Sequence, residues 1–392
     1  MNIVATILSR LHHVTPAPLV FIIYHPSSVY QAKATIRSLR SFQLTEKAQE
    51  VVDHAPDHTE NRSLNRGDCE EKHFFPFLCR AGLLSQKNET TNSSAEITLN
   101  TLEYGYCNKV YRVDFSTKCY VAKIYSDVAK VRMRKLAIPA DVLLSHKSLG
   151  PKLLHYDEEG IIMSFVDGAT LKPADVHGDT SSSFGNGTEL CRAVAQKVAA
   201  LHAIEPLSDF NMLHEDNMLW FSLDRMMSFV RRKNACTKFA CATDIEKWSF
   251  AKLSSEVHGM RNAIEALNLP QVFGHGDLKP SNVMYCESFL ADGSPSENIS
   301  LGGMSNQIIL IDFEMTGLNY RGFDMYKLFR TKQHTNNTDE NMRAFAESYL
   351  MSYERLSPGR IKGNIDASTM LLLESQIFEP LTVRLIGNIN KL

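Results

Sequence analysis

An α+β chain of two lobes is what the sequence predicts, a small, mainly antiparallel β lobe followed by a larger helical one. Three observations carry this expectation. Tyr111, Val113 and Phe115 alternate with Arg112 and Asp114, and a second alternating run covers 119–125, so two strands follow one another across the hairpin-sized Ser116-Thr117-Lys118. An apolar run at 161–166, ending at Asp167-Gly168, reads as a further, buried strand. Beyond it the period changes, and Leu190, Val194, Val198 and Leu201 recur at the spacing of an amphipathic core helix.

Three segments follow. Residues 1–95 form an N-terminal extension, largely irregular, with a polar, charge-rich stretch between Asp53 and Ser94. Residues 96–168 make the first lobe and 169–392 the helical one. A helix is expected around 128–147. Another carries Val257, Met260, Ile264 and Leu267 on one face and stops at Pro270. The polar residues between Glu287 and Gln307 read as an insertion at the tip of a hairpin that joins 282–286 to 308–313. The C-terminal third is helical in pattern, interrupted by Pro358 and Pro380.

Composition narrows the class. At 392 residues the chain is long enough for two lobes with a substantial core. A net charge of −2 gives no global attraction to nucleic acid or anionic membrane. The eight cysteines include no Cys-x-x-Cys pair, which points to a reduced, intracellular protein and away from zinc. No run approaches the roughly 20 apolar residues of a membrane span. The expected location is cytoplasmic. The first 45 residues lack Asp and Glu but carry Arg10, Lys33, Arg37 and Arg40, so organellar targeting stands as the alternative.

The chemistry concentrates in two stretches. The first is Phe273-Gly-His275-Gly-Asp277-Leu-Lys279-Pro-Ser-Asn282, with an Asp and an Asn five residues apart between apolar flanks. About 25 residues on, a strand ends in Asp312-Phe313-Glu314. Phosphoryl transfer requires this layout: one carboxylate takes or orients the proton of the attacking hydroxyl, while an amide and a second carboxylate hold the Mg²⁺ that neutralises phosphate charge. Upstream, Gly105 lies in a turn before the first strand, and Lys123 projects from the second strand, where it would reach the phosphates of ATP.

His275-Gly-Asp277-Leu-Lys-Pro-Ser-Asn282 resembles the loop shared by protein kinases, aminoglycoside phosphotransferases and choline/ethanolamine kinases. Leu310-Ile-Asp312-Phe-Glu314-Met-Thr-Gly-Leu-Asn319-Tyr320-Arg321-Gly-Phe-Asp324 resembles the choline/ethanolamine kinase signature, and neither Asp-Phe-Gly nor Ala-Pro-Glu of a protein kinase is present. Tyr104-Gly-Tyr-Cys-Asn108-Lys-Val-Tyr111 is similar to that family's phosphate loop, and the likeness spans about 97–330. The resemblance implies a protein-kinase-like fold and ATP- and Mg²⁺-dependent phosphorylation of the hydroxyl of choline or ethanolamine, the entry step to phosphatidylcholine or phosphatidylethanolamine.

By the same resemblance Asp277 is the catalytic base, His275 orients the loop, and Lys279 screens the γ-phosphate. Asn282 and Asp312 hold Mg²⁺. Lys123, Asn108 and Gly105 bind ATP. Glu314, Tyr320, Arg321 and Asp324 belong to the substrate side, Glu314 near the amine and Asp324 bracing the loop. The partner is a small amino alcohol, with no nucleic acid and no transmembrane segment, and a homodimer is left open. Two alternatives stand: a kinase of the aminoglycoside-phosphotransferase type acting on another hydroxylated molecule, and an inactive kinase fold that serves as a binding module.

The sequence also departs from the family pattern. Cys107 stands where Ser is usual, and Met315 replaces a tyrosine. The helix after Lys123 should offer a Glu near Ala137, but 128–155 contains none. The segment Met325-Tyr-Lys-Leu-Phe-Arg330 differs from the family's, and both tryptophans, Trp220 and Trp248, precede the catalytic loop.

Overall fold

The computed structural model describes residues 61–63, 71–82, 97–104, 108–115, 118–126, 140–178, 187–205, 217–232, 250–286, 304–330, 336–360 and 367–378. Gly105, Trp248, residues 1–45, most of the expected 128–147 helix and most of the 287–307 insertion lie outside them.

The first lobe is a six-stranded antiparallel sheet in the order β1-β2-β3-β4-β6-β5, built from Asn61–Ser63, Ile97–Tyr104, Asn108–Phe115, Lys118–Tyr125, Leu153–Tyr156 and Gly160–Ser164, numbered in chain order. The two alternating runs pair as expected, from Asn108↔Tyr125 to Phe115↔Lys118. Strand β1 and a helix, α1 (Glu71–Arg80), come from the 1–95 extension, which was expected to be largely irregular. Phe77 and Leu78 of α1 are buried with Val113, Ala122 and Ile162, so α1 covers one face of the sheet. Pro76 inside α1 masked the helix from a propensity reading. Because successive residues of a strand face opposite ways, Ala122 under α1 sends Lys123 to the other face.

Next come α2 (Ala140–His146), the short β7 (Ala169–Thr170) and α3 (Pro173–His177), then α4 (Gly187–His202) and α5 (Met218–Arg232). Leu190, Val194, Val198 and Leu201 of α4 are all buried, as their spacing predicts. Against them pack Phe345, Tyr349 and Tyr353 of a long helix in the C-terminal third, α8 (Asn336–Leu356). Each such side chain contributes about 1.5–3 kcal/mol by leaving water, so α4 is the centre of the helical lobe. Helix α6 (Phe250–Glu265) falls in a separate compact unit, Ala251–Asn268, and is described by itself. Its Val257 and Ile264 are buried, Met260 and Leu267 only partly, and Asn268 takes a left-handed conformation just after its end.

Two small sheets place the chemistry. Strand β8 (Gln271–Gly274) pairs with β11 (Gly317–Tyr320), and β9 (Val283–Tyr285) pairs with β10 (Ile308–Leu310), both antiparallel. The loop from β8 to β9 holds His275–Asn282, and the loop from β10 to β11 holds Asp312–Met315. Pairing at both ends forces the two loops side by side. The chain then enters α7 (Arg321–Phe329), whose nine residues are all buried, and after α8 it ends its described course in α9 (Ala367–Gln376). Among the described residues no helix is long and apolar enough to cross a membrane.

Candidate active site

The two loops are tied together by backbone and imidazole. Ile311 N–H donates to the Asn282 carbonyl at 3.0 Å. His275, fully buried, lies 2.9 Å through Nε2 from the Ile311 carbonyl oxygen, and Nδ1 accepts the Asp277 N–H at 3.3 Å. One neutral tautomer, protonated on Nε2, satisfies both contacts. Gly276 is left-handed at φ +78°, and a Cβ there would come within 2.2 Å of the Met315 carbonyl oxygen, so only glycine lets the loops approach this closely.

Asp324 holds the same loop from beneath. Its carboxylate accepts the backbone N–H groups of His275 at 2.6 Å and Gly276 at 2.8 Å, and meets His202 Nε2 at 3.0 Å. Burial would raise its pKa, but His202, His275 and the backbone donors outweigh burial and hold it below the usual carboxylate range. His202 in turn lies 2.8 Å from the Tyr349 hydroxyl.

Asp277 projects from this braced loop, a quarter exposed. Its Oδ1 pairs with Lys327 Nζ at 2.5 Å, and Lys279 Nζ stands 3.7 Å from Oδ2. Burial pushes the carboxyl up, and the two lysines more than reverse it, so Asp277 stays ionised below the ordinary range. Asn282 Nδ2 donates to the Asp277 backbone carbonyl at 2.8 Å, which leaves the amide oxygen of Asn282 for another partner.

On the opposite side Lys123 is surrounded by acids. Its ammonium pairs with Asp312 and stands 3.4 Å from Glu314 Oε2. Asn108 Nδ2 donates to the same Glu314 oxygen at 2.6 Å. Burial would depress the Lys123 pKa, but Asp312, Glu314 and Asp141 outweigh it and hold it above the lysine range. Asp312 itself has φ +67°, a conformation non-glycine residues rarely adopt and one found at functional loops.

A description of these parts as those of a known family rests on comparison. The family model for choline/ethanolamine kinase matches residues 99–385. The chain belongs to the choline/ethanolamine kinase family. It is 24% identical over 291 residues to mouse ethanolamine kinase 1, covering 70% of each chain. It is 26% identical over 193 residues to a probable ethanolamine kinase of Arabidopsis thaliana, covering 49% of this chain and 43% of that one. The chain spans less than half the length of the first curated relatives it matches. Its fold is that of the Plasmodium vivax ethanolamine kinase structure, at TM-score 0.57, 18% identity and 91% coverage of both chains. It is also that of the Cryptosporidium parvum choline kinase structure, at TM-score 0.54, 16% identity and coverage of 81% and 89%.

Within this member of the choline/ethanolamine kinase family, the expected residues divide sharply. Asp277, Asn282, Asp312, Lys123, Asn108 and Glu314 come together. Of the residues expected on the substrate side, Glu314 joins this group and Asp324 lies under the loop, while Tyr320 and Arg321 are engaged elsewhere. Tyr320 is buried, its hydroxyl accepting Trp220 Nε1 at 2.9 Å and its ring packed on Phe378. Arg321 makes a buried bidentate pair with Glu374, at 2.6 and 3.1 Å. Asp324 holds the backbone of His275 and Gly276 and meets His202. Glu314, expected near an amine, faces Lys123 and Asn108. His275 is buried and links the Ile311 carbonyl to the Asp277 amide.

Two residues were missed. Asp141, in the first turn of α2 and buried, takes the electrostatic place of the absent Glu beside Lys123. It is an aspartate, four residues beyond the position where a glutamate was expected. Lys327 lies in the segment 325–330 that departs from the family pattern, and only the folded chain brings it to Asp277.

Proposed function

We propose that this protein transfers the γ-phosphoryl group of ATP to the hydroxyl of a small-molecule alcohol. The observation that carries the reading is the convergence of Asp277, Asn282 and Asp312 at two adjacent loops, with Lys123 paired to Asp312. The donor set fits Mg²⁺, a hard cation that takes oxygen ligands: the Asp312 carboxylate and the Asn282 amide oxygen would hold it, and it would neutralise charge on the β- and γ-phosphates. Lys123, kept charged by its acidic neighbours, would leave Asp312 for the phosphates as the metal takes its place.

The acceptor hydroxyl hydrogen-bonds Asp277. As its oxygen bonds to the γ-phosphorus, the bridging bond to the β-phosphate oxygen breaks, the proton passes to Asp277 and the electron pair leaves with ADP. Such positioned proton transfer contributes about 10²–10⁴-fold. The braced loop supplies the rest by fixing Asp277 in place.

Choline and ethanolamine are the first acceptors to test, because the relatives carry those names, and their turnover would place the chain at the entry to phosphatidylcholine or phosphatidylethanolamine. A second reading, another small hydroxylated acceptor, is favoured by Lys327 paired with Asp277 and by Glu314 being engaged with Lys123 and Asn108. The test is ADP release from MgATP by purified protein across amino alcohols and neutral and acidic alcohols. Acceptor-dependent release supports the kinase. Failure of MgATP to raise Tm favours an inactive fold.

A further inference from the structure

We propose that Lys327 fixes the acceptor class of this site: it selects a hydroxylated acceptor bearing an acidic group and rejects one bearing an ammonium. The inference rests on the kinase reading above and deepens it.

An acceptor must place its hydroxyl on Asp277, so any charge two or three bonds along falls near whatever surrounds that carboxylate. Among the described residues, what surrounds it is cationic. Lys327 Nζ lies at 2.5 Å and Lys279 Nζ at 3.7 Å. Arg330, one residue past α7, is close enough to act on Lys327. One carboxylate is thus shared by two ammonium groups.

The nearby acids are committed elsewhere. Asp312 and Glu314 face Lys123, Asp324 holds the loop, and Glu374 pairs with Arg321. The aromatic pair Trp220 and Tyr320 is bonded to itself. None of these offers an ammonium a cage or a counter-ion beside Asp277.

Lys327 is also under-compensated. Its side chain is nearly buried, and burial together with Arg330 and Lys279 keeps its pKa below the lysine range despite Asp277. When the acceptor hydroxyl takes up Asp277, an acidic group on the same molecule gives this buried ammonium a second partner. An ammonium there would meet like charge, and at about 5 Å in a partly screened site that repulsion is worth more than tenfold in binding.

The experiment measures kcat/KM with MgATP for choline, ethanolamine, glycerol and glycerate, in the wild type and in Lys327→Gln, with acceptor phosphate and ADP both quantified. The expected result is glycerate ahead of ethanolamine by about tenfold or more. In Lys327→Gln that ratio falls by about the same factor while KM for ATP changes less than twofold. Lys327→Met keeps the packing of the stem should the glutamine variant fail to fold, and if neither folds the wild-type ranking decides alone. Preference for ethanolamine or choline in the wild type, or a ratio unmoved by loss of Lys327, overturns the inference and leaves the kinase reading intact. ADP release unaffected by glycerate does the same. No ADP release at all overturns both.

Discussion

The two sides of the site carry opposite arrangements of charge. On the nucleotide side one ammonium, Lys123, faces the carboxylates of Asp312, Glu314 and Asp141. On the acceptor side one carboxylate, Asp277, sits between the ammonium groups of Lys327 and Lys279. Each central group is held in its charged form by its neighbours. Under the proposed kinase reading, the first arrangement suits a cation that would meet phosphates and a metal, and the second suits a base whose surroundings would discriminate among acceptors. Kinship with amino-alcohol kinases therefore says more about the first side than about the second.

The sharpest way to break the comparison is to remove an acid from the nucleotide side. Asp312→Ala should weaken MgATP binding by about a hundredfold or more, read by calorimetry, because a metal ligand is lost. Unchanged affinity would detach Asp312 from the metal. On the stability side, Arg321→Ala leaves Glu374 charged and buried, and should cost about 3–5 kcal/mol in denaturant titration. A loss of acceptor binding with no loss of stability would return Arg321 to the substrate side.

Asp324→Asn should cost about 1–3 kcal/mol near neutral pH by weakening a buried network. The folded-state pKa of Asp324 is depressed, so its contribution is present above the unfolded carboxylate value near 4 and disappears as pH falls through the depressed one. The gap between wild type and Asp324→Asn, followed by Tm from pH 7 downward, should close on acidification. A gap that widens contradicts the assignment. The smallest effect is expected for Asp141→Asn: a severalfold rise in KM for ATP with little change in kcat, since Asp141 acts on Lys123 and not on the acceptor.

What was legible in the sequence follows the range of the interactions. The loop 275–282 and the strand before Asp312 could be read because neighbouring residues set their geometry, and Lys123 could be read from strand alternation. The engagements of Tyr320 and Arg321 could not be read because their partners, Trp220 and Glu374, lie 100 and 53 residues away, and only tertiary packing brings them together. The strand and helix within 61–80 were missed because Pro76 and a polar context hid a buried Phe77-Leu78 pair. Lys327 failed to stand out because a lone lysine on a helix usually faces water, whereas α7 has no exposed face.

Transfer of labelled γ-phosphate from ATP to an alcohol by wild type and Asp277→Asn, with MgATP binding measured on both, tests the central claim most directly. The account predicts labelled acceptor from the wild type, a loss of at least about a hundredfold in the variant, and nearly equal nucleotide affinity. Equal transfer by the two proteins would contradict it.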